Sequence, residues 1–302
     1  MRLKQILFNR NVLLLSAMLL GIFAGDLADS LKEFASYDLL IMMTVSFSAV
    51  SFKQIFNFKK FSQNALLAFA FNYLLFGSLL MLLAYLLLPA NSPMIYGFLF
   101  IALAPPGVVI VPFSQKTDCN KEFSVIGTLS GYLIQIIIFP VLIYFLNVKQ
   151  QLPINFLLWQ FSLMLVFPLL ISRVLRFEKA QMILKNLRGR IIDITFFILI
   201  YIVIGITRKV FFTNITEIVI PLIILLIMYF PMVWILQYIM NKLKISEANK
   251  KSYILMFVVK NNGVSAMFSL LIVGEDAAVP SAVLSVVLLI FLLIYLNEHQ
   301  KK

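Results

Sequence analysis

The chain has 302 residues, of which 62% are hydrophobic and 13% charged, about half the charged share of a soluble domain. Its 25 Lys and Arg outnumber 13 Asp and Glu, but the cations sit in short loops between apolar runs of about 20 residues, the length that crosses a bilayer. The surplus therefore reports membrane topology and excludes a nucleic-acid surface, while one cysteine, Cys119, and one histidine, His299, exclude an internal disulfide framework and are too few for a Cys/His metal site.

Taken in chain order, the apolar runs predict an all-α integral membrane protein with ten crossings, near 11–27, 38–52, 64–88, 94–116, 122–147, 154–173, 190–207, 214–240, 250–273 and 278–297. The start, "MRLKQILFNRNVLLLSAMLLGIFAG", has the basic end and apolar centre of a signal peptide, but no evident small-residue cleavage site, and reads as the first crossing. Loop charge tests the count. Arg2, Lys4 and Arg10, Lys53, Lys59 and Lys60, Lys116 and Lys121, six cations in 173–190, four in 242–251, and Lys301 and Lys302 all fall on one side. Lys32, Lys149, Arg208 and Lys209 fall on the other, with Asp26, Asp29, Glu33, Glu275 and Asp276. The positive-inside rule puts the rich side and both termini in the cytoplasm, and the protein in the plasma (inner) membrane.

The longest loop, "RVLRFEKAQMILKNLRGR" from Arg173 to Arg190, is basic with an apolar stripe at Val174, Leu175, Phe177, Met182, Ile183 and Leu187. It is expected to be a short helix on the inner membrane surface touching anionic lipid. Pro140, Pro168, Pro221 and Pro231 are expected to kink their helices.

The crossings divide near residue 150 into two sets of five, 1–150 and 151–302, and an odd number of crossings inverts the second set against the first. Inverted repeats are a transporter architecture with the site between broken helices at the midplane. Two crossings carry such breaks. The fourth has Ala104-Pro105-Pro106-Gly107 about eleven residues from either end; paired prolines remove donors, and glycine tolerates strained dihedrals. The ninth has Lys260-Asn261-Asn262-Gly263 about ten residues from its inner end. Both breaks are the fourth helix of their five. Prolines in membrane helices are often mere kinks, but a cation and two amides at bilayer depth cost several kcal/mol and need a reason.

The run "KNNGVSAMFSLLIVGEDAAVPSAVLSVV" resembles the ninth and tenth helices of the bile acid:sodium symporter family, and "APPGVV" resembles its fourth. The resemblance implies a core domain of the third to fifth and eighth to tenth helices, in which the broken helices cross. A panel of the first, second, sixth and seventh would pack against it, with organic anions carried between the two, commonly with sodium. The chain departs from the sodium-coupled pattern at three places. Met256 stands where those relatives have an acidic residue, Lys260 where they have a glutamine, and Val109, Ile110 and Val111 where they have a Ser-Asn pair. Of the matching ligands, Asn261 and Thr128 keep oxygen-bearing side chains. A lysine there repels a cation at low dielectric, so sodium is not expected to bind.

All 13 carboxylates lie near helix ends or in loops, which leaves the Lys260 ammonium three options: carbonyls at a half-helix C-terminus, loss of its proton with proton coupling, or the carboxylate of a substrate. The candidate site is Lys260, Asn261, Asn262 and Gly263 with Pro105, Pro106 and Gly107, supported by Asn72, Thr128, Gln135 and Ser265; each polar group taken alone also fits an ordinary interhelical hydrogen bond. Ser114, Gln115 and Asp118 are placed at a cytoplasmic vestibule, and the aromatic residues are read as lipid-facing bulk. The function expected is alternating-access transport of a small organic anion, without sodium, compatible with proton coupling, and with no cofactor. The alternatives are a sodium-coupled symporter or a non-transporting ligand sensor of the same fold. An intramembrane enzyme lacks a catalytic set, since the histidine is near the C-terminus and the carboxylates are peripheral.

Overall fold

The structure is a computed structural model that describes residues 10–31, 33–48, 58–145, 155, 159, 162–213 and 215–300. The expected junction near 150 and the loop cations Arg2, Lys4, Lys32, Lys53, Lys149, Lys301 and Lys302 lie outside those residues. The helices are α1 (Arg10–Ala24), α2 (Phe34–Phe47), α3 (Phe58–Phe69), α4 (Phe76–Leu87), α5 (Met94–Leu103), α6 (Ile110–Lys116) and α7 (Lys121–Phe145), followed by α8 (Phe167–Val174), α9 (Glu178–Thr213), α10 (Ile215–Tyr229), α11 (Pro231–Lys242), α12 (Glu247–Val258), α13 (Asn262–Ile272) and α14 (Glu275–Gln300). Five stretches among the described residues, Lys59–Leu87, Lys121–Ile138, Asn186–Ile206, Thr216–Lys242 and Glu275–Tyr295, are long and apolar enough to span a membrane. This is an all-helical membrane protein.

Both expected breaks are present. Leu103 ends α5 and Ile110 starts α6; Val258 ends α12 and Asn262 starts α13. A third irregularity has no counterpart in the sequence reading: α3 and α4 are joined by a π turn over Ala70–Leu75. The prolines act in different ways. Pro231 follows a one-residue interruption at Phe230, whereas Pro221 sits inside α10 and Pro140 inside α7. Pro168 opens α8 after a π turn over Ser162–Val166.

The basic loop is a correction. Residues from Glu178 onward are not a separate surface helix but the first turns of α9, which runs 36 residues to Thr213, about 54 Å at 1.5 Å per residue. The segment 178–190 holds no proline, and one glycine, Gly189, costs only about 1 kcal/mol, so nothing stops the helix where the loop meets the bilayer. The apolar stripe remains uncovered by protein, with Phe177, Met182 and Ile183 all exposed.

Packing sorts the helices into two groups. α1 and α2 lie along α9, and α8 lies against α2; α3, α4, α5 and α7 pack with one another and with α10, α12, α13 and α14. The α1–α9 seam is close enough that a Cβ on Gly25 would sit 2.7 Å from the Gly205 Cα. It is closed at one end by the Arg208–Asp26 ion pair. α2 against α6 and α9 against α14 join the groups.

Candidate functional site

The two breaks cross each other. Pro106 and Lys260 pair as a single antiparallel bridge, with Gly107 N–H donating to the Val259 carbonyl and Asn261 N–H to the Pro105 carbonyl, both at 2.8 Å. Each break thus supplies what the other lost, and the two prolines bring no donor that would need a partner. Pro105, Pro106 and Gly107 are buried at this point.

Neither Gly107 nor Gly263 has the positive φ that a strained break would use. Gly107 is needed for proximity: a Cβ there would lie 2.9 Å from Val259 Cγ1 and 3.0 Å from the Lys260 carbonyl oxygen. A second close approach comes from α7, where a Cβ on Gly131 would be 2.2 Å from Pro106 Cδ. Gly263 is different. It is exposed, and a Cβ would meet nothing nearer than Asn261 Oδ1 at 3.6 Å.

The Lys260 side chain is 2% exposed. Its Nζ donates to the carbonyls of Asn72 at 2.8 Å, Ala102 at 3.1 Å and Ala104 at 3.1 Å, one acceptor for each ammonium proton. Ala102 belongs to the last turn of α5, whose carbonyls have no helical partner and form the negative end of its dipole. Asn72 lies in the π turn, where an extra residue displaces a carbonyl from the helical ladder. The faces of Tyr73 and Phe76 lie 5.2 and 4.9 Å from the same nitrogen, a cation–π arrangement. The first of the three options, carbonyls at a half-helix C-terminus, is in place at this nitrogen.

The neighbouring polar residues act mainly as braces. Asn72 Nδ2 donates to the Ala104 carbonyl at 3.1 Å, while its Oδ1 is buried without a partner. Asn261 caps α13 by accepting from Val264 N–H at 3.3 Å, and its Nδ2 donates to the Tyr132 hydroxyl. Asn262 Nδ2 reaches the Ser281 carbonyl and Ser285 Oγ, both at 2.6 Å, and Ser265 Oγ stands 3.0 Å from Ser281 Oγ. These contacts tie α13 to α14. Thr128 turns back to the Ser124 carbonyl at 2.8 Å, and Gln135 is buried with Nε2 unpartnered. The vestibule set does not come together: Ser114 is buried and bonded to the Val111 carbonyl, whereas Asp118 is exposed, 4.0 Å from Lys251 Nζ.

Several participants were not singled out in the sequence. The Tyr73 hydroxyl donates to the Gly131 carbonyl at 2.9 Å, and the Tyr229 hydroxyl to the Val258 carbonyl. Phe76 meets Phe257 edge-on at 5.2 Å. These rings are packed protein interior rather than lipid-facing bulk. Tyr132 could have been found, since it lies one helical turn from both Thr128 and Gln135 on α7.

Two broken helices crossing within a chain of apolar helices is a transporter geometry, and the sequence model of the SBF-like CPA transporter family matches residues 12–297. The chain belongs to that family. Among proteins of curated function, none matches the sequence. In this SBF-like transporter both breaks, Lys260 and its carbonyl cradle fall within the matched region.

Proposed function

We propose that this SBF-like transporter carries a small organic anion across the plasma (inner) membrane by alternating access and without sodium, Lys260 holding a positive charge where a coupling cation would otherwise be bound. The observation that carries the reading is the Lys260 Nζ at the crossover, within hydrogen-bond distance of three backbone carbonyls. A fixed cation there disfavours a mobile one, and its charge raises the potential around the half-buried Asn261 and Asn262 and the exposed Gly263. That start of α13 is the accessible part of the crossover and the place where an anion would be met, on a helix N-terminus. The group containing α1, α2, α8 and α9 is the panel in this reading. The group containing both breaks is the core that moves against it, and the two halves of the chain are inverted repeats with both termini cytoplasmic.

Proton coupling is the same reading with one further step, in which Lys260 loses a proton and gives up one carbonyl contact. The test is accumulation of labelled small carboxylates by purified protein in lipid vesicles. Accumulation against a gradient supports a transporter, whereas ligand-induced stabilisation without any flux makes the protein a sensor. An imposed pH gradient that drives uptake in the wild type but not in Lys260→Arg identifies the proton as the coupled ion.

A further inference from the structure

The carbonyls around Lys260 Nζ come from two separate stretches of chain: that of Asn72 from the π turn, and those of Ala102 and Ala104 from the end of α5 and the start of the break. Two ring faces, Tyr73 and Phe76, close another side of the same point. The side-chain oxygen of Asn72, Oδ1, is also buried without a donor. Asn72 itself is fully buried. The lysine enters this cluster from a third stretch, the break between α12 and α13, through a flexible stem.

An oxygen cluster assembled by a π turn and a helix end is a receptor whose acceptors all come from residues other than the lysine. Its shape discriminates among cations. Hard metal ions such as calcium take about six or more oxygens from all directions, whereas a primary ammonium has three protons for three acceptors and draws further stabilisation from aromatic faces. We propose that the crossover contains a monovalent-cation pocket selective for a primary ammonium, which the chain fills with its own Lys260, and that shortening this side chain makes the pocket a binding site for an external alkylammonium. The inference rests on the reading of Lys260 as the occupant of a cation position, and it gives that position a ligand class. The tether has a consequence for transport: unlike a bound metal ion, a cation attached to the chain cannot be released on either side of the membrane.

n-Propylammonium replaces the Cγ, Cδ, Cε and Nζ atoms that Lys260→Ala removes. Purified Lys260→Ala and wild-type protein are titrated with n-propylammonium, n-propanol, sodium and potassium at matched ionic strength, and the thermal unfolding midpoint is read. A saturable rise is expected for n-propylammonium on Lys260→Ala, with little or none on the wild type, and none for n-propanol or the metal ions. An equal effect of n-propanol would mean that mere filling of a cavity stabilises the variant, and would overturn the proposal. So would an equal or larger effect of sodium, which would make the cluster a metal site. If Lys260→Ala cannot be purified alone, the yield of monodisperse protein from membranes solubilised with and without n-propylammonium is measured instead; recovery by the ammonium supports the pocket and no recovery overturns it. These readouts involve no flux. Failure of the pocket and failure of the transport reading are therefore seen separately.

Discussion

Lys260→Met keeps the apolar stem but removes all three donors, leaving the Asn72 and Ala102 carbonyls buried and bare while Ala104 retains the Asn72 amide. Each orphaned acceptor costs about 1–3 kcal/mol, so the variant is expected to lose about 2–6 kcal/mol, measured by reversible unfolding in mixed micelles. An unchanged midpoint would show that the cradle contributes nothing. Gly263 separates folding from function. With room for a methyl group, Gly263→Ala is expected to hold or gain up to about 1 kcal/mol of stability, as alanine does over glycine in a helix, while uptake falls because the anion meets the bare backbone there. Equal uptake would remove this residue from the anion's path. Lys260 was legible because a charge is conspicuous in an apolar run. That its partners are backbone carbonyls was not, even at Asn72 and Ala104, which the sequence marks for other reasons, because carbonyls carry no residue signature.

At the scale of elements, the broken helices could be read from Pro105-Pro106-Gly107 and Asn261-Asn262-Gly263, since proline, amides and glycine each act on the local backbone. The π turn at Ala70–Leu75 could not; it is set by the fit of α3 and α4 to their neighbours, and the residues "AFNYLL" would suit an ordinary helix equally well. The crossover predicts a steric limit on α7: Gly131→Val would drive a branched side chain into Pro106, whose Cδ is already 2.2 Å from where a Cβ would stand. A loss of about 1–3 kcal/mol is expected from such overpacking, checked by the unfolding midpoint; a neutral result would place Pro106 elsewhere. α9 carries a further expectation. Its N-terminal end presents exposed Met182, Ile183 and Leu187 beside exposed Lys179 and Arg190, a surface suited to the boundary between headgroups and acyl chains. Anionic phospholipid is expected to raise the midpoint more than zwitterionic lipid does, with the difference shrinking in the double variant Lys179→Gln and Arg190→Gln.

For the whole molecule, the amount of apolar sequence and the alternation of loop charge made a multi-pass helical membrane protein legible, and the continuity of α9 shows where such reasoning stops. Hydropathy marks where a helix leaves hydrocarbon, not where it ends, and 178–190 continues as helix because nothing in it breaks one. The division into two packing groups rests on contacts between helices distant in sequence, which a count of crossings does not give. The central claim is that the crossover carries its own cation, and one measurement tests it most directly. Uptake of a transported organic anion into proteoliposomes is followed with sodium on the outside, and then with sodium fully replaced by potassium or N-methylglucamine. The account predicts equal initial rates in all three; uptake that collapses without sodium and returns when sodium is restored would contradict it.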